Sequence, residues 1–132
     1  MKLTLSDFPS FSFHDSPVRQ IQEIGDRIVI AFDFAIIRPP LEAAAGALWK
    51  LLDCSLVCKT VHKSEKEEWT DTVAAKTHST PERPLEEVQH EEILNGCLVL
   101  SGLTQKNNWG VWRIAAEEFD LTWKEKDQIE NG

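Results

Sequence analysis

Residues 11–18, FSFHDSPV, set a histidine, an aspartate and a serine side by side. These are the three residue types of a hydrolytic triad. A triad needs the imidazole between hydroxyl and carboxylate, with each pair in hydrogen-bond contact. Successive residues on an extended chain cannot meet that need, because neighbours point to opposite faces. The chain also has no GxSxG elbow. The stretch reads instead as architecture. Phe11 and Phe13 alternate with Ser10 and Ser12, giving a first strand one aromatic face. Asp15-Ser16-Pro17 predicts a turn, since Asp accepts hydrogen bonds from nearby backbone N–H groups and Pro17 biases Ser16 to an extended shape. His14, at the strand end, is expected to bond a backbone carbonyl or a carboxylate. The competing reading is a small-ligand-binding or hydrolytic β-barrel that uses His14 and Asp15, with a deep pocket beside them.

A second candidate is CSLVCKTVH, which spaces Cys54, Cys58 and His62 by four. On a helix these side chains would face together and could hold a metal. On a strand, positions i and i+4 lie ~13 Å apart, too far for ligands that sit ~2.0–2.3 Å from one zinc ion. The composition of the segment favours a strand, so buried thiols are expected and no metal or cofactor is assigned. His78 and His90 sit in polar surroundings and read as solvated. The chain contains no GxGxxG, GxxxxGK[ST], HExxH or EF-hand loop. Its paired carboxylates fall in charge runs. The expectation is a protein that is not an enzyme.

The elements that carry these residues are mostly strands. RIVIAFDFAII, residues 27–37, alternates Ile28, Ile30, Phe32, Phe34 and Ile36 with Val29, Ala31, Asp33 and Ala35, a period of two with one apolar face. Gly25-Asp26 precedes it and predicts a hairpin that pairs residues 18–24 with residues 27–37, antiparallel. Pro39-Pro40 ends the long strand. Residues 41–52 read as a loop or short helix. Residues 51–63 read as a strand with Leu52, Cys54, Leu56, Cys58 and Thr60 on one face. Residues 64–83 are polar and expected to be exposed, with a further strand near residues 69–75. Residues 84–94 fit a helix begun by Pro84 or a strand, and Asn95-Gly96 fits a helix stop or a hairpin turn. GCLVLSGL, NWGVWRIAA and EFDLTW predict a closing antiparallel meander, with Glu117-Glu118 between its last two strands. In NWGVW, one tryptophan can pack inside while the other is exposed; an exposed one beside Glu117, Glu118 and Asp120 would suit an interface. The sum is a mainly β fold, an antiparallel β-sandwich or partly open barrel with at most one or two short helices. Residues 1–124 form a single β-rich domain and residues 125–132 a polar C-terminal tail that frays.

The 132 residues carry a formal net charge of -8. Residues 1–64 hold seven acids and seven bases; residues 65–132 hold fifteen acids and seven bases, so the whole excess lies in the second half. Such a surface repels nucleic-acid phosphates and anionic lipid, and attracts a basic partner. No segment approaches the ~18 apolar residues that span a bilayer. Asp7 and Pro9 interrupt any signal-peptide core, and three cysteines without framework spacing suit a reducing compartment. The expected location is the cytoplasm.

FSFHDSPVRQIQEIGDRIVIAFDFAII resembles the opening of small bacterial immunity-type proteins: an aromatic-His-Asp turn, then a hairpin with a Gly-Asp turn. ILNGCLVLSGLTQKNNWGVWRIAAEEFDLTW is similar to their last strands, with a strand ending in Gly, a polar loop, a Trp-bearing strand and a strand closing on Trp. The likeness covers the first and last thirds. It implies an immunity protein of a polymorphic-toxin or contact-dependent growth-inhibition system. Such a protein is a cytoplasmic inhibitor that blocks one cognate toxin C-terminal domain, often a nuclease. It implies no catalytic residue and assigns no binding residue. Charge and aromatic content suggest the partner-binding set: Glu65, Glu67, Glu68, Asp71, Glu86, Glu87, Glu91 and Glu92, with Trp69 as apolar anchor.

Overall fold

A computed structural model describes residues 1–39, 44–69, 76–77 and 85–129. Its elements are β1 (Lys2–Leu3), a short 3-10 helix (Leu5–Ser10), β2 (Phe11–Ser12), β3 (Ser16–Ile24), β4 (Arg27–Ile37), β5 (Trp49–Trp69), β6 (Lys76–Thr77), β7 (Glu87–Leu94), β8 (Cys97–Leu103), β9 (Trp109–Thr122) and β10 (Glu125–Gln128). The mainly β, antiparallel architecture expected from the sequence is present. Every strand pairing is antiparallel, and the neighbours run β9–β8–β7–β3–β4–β5. β5 then pairs back onto β9, from Ser55↔Thr122 to Trp69↔Trp109. Six strands therefore form a closed cycle of pairings, which removes most of the exposed edge that an open sheet would carry.

The inward face is apolar and contains an aromatic chain. Phe8, Phe11, Phe13 and Phe32 touch in sequence, with ring centroids 4.3, 5.1 and 4.0 Å apart, the first pair tilted, the second edge-to-face and the third stacked. Phe11 and Phe13 are both buried, as the alternation with serine predicts. Trp112 is also buried, and its indole N–H donates to Ser64 Oγ at 2.8 Å, which satisfies the one polar atom it carries inward.

Alternation breaks at defined places, and the breaks correct several expectations. On β4 the buried positions are Ile28, Ile30 and Phe32, then Ala35 and Ile37, so Phe34 and Ile36 leave the inner face. On β5 they are Leu51, then Cys54, Leu56 and Cys58, so Leu52 and Thr60 leave it. The step at Asp33 and Asp53 drops out of the β4–β5 ladder, and Asp53 has φ +50°. On β3, Arg19 is an extra residue between Val18 and Gln20. Its guanidinium bonds both Asp33 (Nε to Oδ1, 3.1 Å) and Asp53. One cation thus ties together the irregular residues of three adjacent strands. A one-residue slip moves every later side chain to the other face, so the true phase could not be read from the pattern alone.

Other boundaries also move. The turn before β3 falls on His14-Asp15, with Asp15 at φ +64°, and Ser16 and Pro17 already belong to the strand. Trp49–Leu52 begin β5, where a loop or helix was expected, and Ser64–Trp69 continue it rather than forming an exposed polar stretch. Residues 41–43, 70–75 and 78–84 lie outside the described residues, and with them Pro40, Asp71, His78 and Pro84. Residues 87–94 are strand rather than helix, joined to β8 by an Asn95-Gly96 turn in which both residues have positive φ, the two-residue hairpin geometry. Glu117-Glu118 do not separate two strands; they lie within β9, beside the register shift at which Ala115 and Ala116 face an extra residue, His62, on β5. Glu125–Gln128, expected to fray, pair with Trp49–Leu52.

At Gly102, β8 leaves no room for a side chain against β7. A Cβ built there would lie 2.0 Å from Glu87 O and 2.9 Å from Gln89 N. Both are backbone atoms, so no side-chain rotation relieves the overlap. Gly102→Ala is therefore expected to cost about 3 kcal/mol or more in urea denaturation. Gly25→Ala, where only the positive φ opposes a side chain, is expected to cost about 1 kcal/mol. Equal losses would contradict this assignment.

Candidate functional site

His14, Asp15 and Ser16 do not assemble as a triad. Ser16 is buried, and its Oγ accepts the Phe34 N–H at 3.2 Å. His14 and Asp15 stand on the surface. The His14 ring bonds the Gln89 carbonyl through Nδ1, and its Nε2 lies 3.4 Å from Asp15 Oδ2. The Asp15 N–H donates to the Val88 carbonyl at 2.8 Å. The turn thus fastens the β2–β3 segment to β7, and its hydroxyl faces the opposite way from its imidazole. Neither His14 nor Asp15 lines the clefts beside Phe8, Arg19 or Asp26.

Cys54 and Cys58 point into the core, and burial pushes both thiols up to about 12. His62 is exposed, on the far side of the β5 irregularity, 3.2 Å from Glu117. The three side chains do not converge. Among the described residues, no group of three His, Cys, Asp or Glu is placed to hold a metal ion.

The acidic set behaves differently. Following the ladder from β5 through β9 and β8 to β7 gives three successive rows on the outer face. They are Glu65–Arg113–Val99–Glu92, Glu67–Val111–Ser101–His90 and Trp69–Trp109–Leu103–Glu87. Five of the nine candidate residues therefore share one four-stranded surface: Glu65, Glu67, Trp69, Glu87 and Glu92. Glu68 and Glu91 belong to the opposite face of their strands, and Glu86 precedes β7. Asp71 lies outside the described residues. The middle of this face is apolar and buried, with Val99 and Val111 packed together with Cys97 and Ala115, so what it presents to solvent lies around that cluster. Trp69 and Trp109 face each other across β5 and β9 and remain 37 % and 42 % exposed.

Two of the carboxylates are held in fixed positions. Glu67 is 8 % exposed, and its Oε1 receives Arg113 Nη1 at 2.9 Å. Glu68 Oε2 receives the Thr104 hydroxyl at 2.7 Å and the Asn108 amide at 3.0 Å. These two residues come from the loop between β8 and β9, which the Thr104 hydroxyl also closes by accepting the Asn108 N–H. The two donated hydrogen bonds, Thr104 first, hold the Glu68 carboxyl below its ordinary value. It is thus an anion that needs little further ordering to meet a cation. Sequence reasoning missed Trp109 as the partner of Trp69. The three-residue spacing to Trp112 did foretell one indole inside and one outside, but the exposed indole sits beside Trp69 and not beside Glu117, Glu118 and Asp120.

A second feature lies around the edge of the ring. A cleft of about 440 Å³ opens between the 3-10 helix and β2 on one side and β7 on the other. Leu5, Phe8, Phe11 and Ile93 give it apolar walls, and Arg38, Glu91 and Glu92 give it charge. Comparison with protein-family models, with curated proteins and with solved structures gives no match.

Because the Glu68 carboxyl is depressed in the folded state, its stabilising contribution is complete above the unfolded-state pKa of about 4.3 and is lost as pH falls through the folded value. Thr104→Val removes the larger cause. Carboxyl NMR titration should show the Glu68 pKa moving up toward the ordinary value. The stability gap between the variant and the parent should close as the solution is acidified. An unmoved Glu68 titration would show that the Thr104 hydroxyl is not what holds the charge.

Proposed function

We propose that the protein works by binding: it is a cytoplasmic immunity-type inhibitor that covers a basic toxin domain with the outer face of β5, β9, β8 and β7. The observation that carries this reading is the convergence of Glu65, Glu67, Trp69, Glu87 and Glu92, with Trp109, on that one face. Exposed apolar groups beside charge, here the two indoles with the glutamates, fit the anatomy of a protein interface. Half-exposed indoles are the side chains that most often carry binding energy in one. The net charge of -8 favours a basic partner, and a nuclease groove is basic because it receives phosphates. The likeness of the first and last thirds to immunity-type proteins points the same way.

A rigid acidic face neutralises such a partner by occupying the surface its substrate needs. The indoles fill apolar depressions, and the carboxylates replace phosphates at lysine and arginine side chains. The reading asks no bond-breaking of any residue in this chain.

The test is calorimetric titration of the protein into the toxin domain encoded beside it in the native genome, with toxin activity followed in parallel. Binding with loss of toxin activity is expected. Trp69→Ala and Trp109→Ala should each weaken it by about 2 kcal/mol, roughly thirtyfold. His14→Ala should leave it within about 0.5 kcal/mol, as a surface change away from the face. Absence of binding at low salt would dismiss the reading.

A further inference from the structure

The cycle of strands is joined unevenly. β3 and β7 pair only at Ser16↔Val88 and Pro17↔Glu87, yet β7 runs on to Leu94. Beyond Val88, β7 pairs with β8 alone. β2, which continues the β3 side of the ring, pairs with β4 alone, through Phe11↔Ile37 and Ser12↔Ile36. Among the described residues, therefore, two strand edges face each other without a ladder between them. The His14-Asp15 turn and the irregularity at Gln89 lie where they part. The 440 Å³ cleft is this opened seam, since Phe11, Ser12, Glu91, Glu92 and Ile93 line it.

We infer that the seam is a binding site for an extended peptide segment that alternates apolar and basic residues. Three observations specify that occupant. An edge without a ladder offers a row of N–H and C=O groups that only another extended chain satisfies in register. The apolar walls, Phe8, Phe11 and Ile93, suit side chains that project from every second position of such a chain. Glu91 and Glu92 both border the cleft together with Arg38, so two acids against one base favour basic residues at the intervening positions. Glu91 adds a further reason. One of its carboxylate oxygens is enclosed and accepts no hydrogen bond among the described residues, so it has a donor to gain when one arrives. Charge also decides against a second copy of this chain as occupant, because two molecules of net charge -8 repel. The inference stands apart from the neutralisation reading, which concerns the outer face; of the residues named for that face, Glu92 borders the seam as well.

The probe is an acetylated and amidated heptapeptide of alternating lysine and valine, added to the full-length, isotope-labelled protein. Two controls accompany it: the glutamate–valine counterpart, and the lysine–valine peptide with proline at its centre. Saturable amide shifts are expected at Phe11, Ser12 and Glu91–Ile93. Hydrogen exchange should slow about tenfold or more at the β7 amides that β8 leaves unbonded. Both controls should bind at least about tenfold more weakly, the first through charge and the second through the lost donor. Glu91→Gln, which keeps the side chain's size and removes a charge that the outer face does not use, should weaken the lysine–valine peptide by a similar factor. Shifts confined to the outer face would overturn the inference, as would equal binding of the glutamate peptide or equal binding of the proline peptide. Self-association at the seam in the absence of peptide would also overturn it. None of these outcomes depends on whether a toxin partner exists.

Discussion

Everything in this fold depends on β5 being paired along both edges. One edge carries β4, from Ile28↔Cys58 to Ile37↔Trp49. The other carries β10 at its start and β9 along the rest, to Trp69↔Trp109. A strand of 21 residues is far longer than the usual ~5–6. It can exist here because most of its first half is bonded on both edges and β9 carries the rest. The return pairing onto β9 closes the ring, sets the aromatic chain of Phe8, Phe11, Phe13 and Phe32 inside it, and turns the far half of β5 into part of an outer face. Among the described residues, no helix is long and apolar enough to cross a membrane.

The same closure explains how a chain with its excess charge in one half presents a patterned surface. Antiparallel pairing lays β5, β9, β8 and β7 side by side, so acids that are distant in sequence arrive in adjacent rows. The Arg113–Glu67 pair then fixes a carboxylate and a guanidinium on that face that would otherwise wave freely. Ordering them in advance lowers the entropy that binding must give up. In the proposed role this matters more than net charge, since charge speeds encounter while position sets how long the complex lasts.

Much of the architecture was legible because period-two alternation is a local signal. Residues 27–37 announce their strand, Gly25-Asp26 its hairpin, and the serine–phenylalanine alternation at residues 10–13 an aromatic inner face. What stayed hidden was long-range. Arg19, Asp33 and Asp53 are separated by 14 and 20 positions, yet together they change the phase of the inner face. No pattern within one strand shows that. Glu117-Glu118 look like a break because two exposed acids interrupt an apolar run, whereas the strand continues through them. The polar ends of β5 and the chain read as loop and tail because their composition is charged, but ladder partners hold them as strands. At the outer face, the charge bias toward the second half was visible and the pairing of Trp69 with Trp109 was not, since that requires knowing which strand lies beside β5.

The account stands or falls on whether that outer face meets its partner by charge as well as by shape. The most direct measurement is the stopped-flow association rate with the neighbouring toxin domain, followed by tryptophan fluorescence, as ionic strength rises from about 0.05 to 0.5 M. The account predicts a rate that falls by about tenfold or more over that range, with a much smaller change in the dissociation rate. An association rate that does not respond to salt would contradict it.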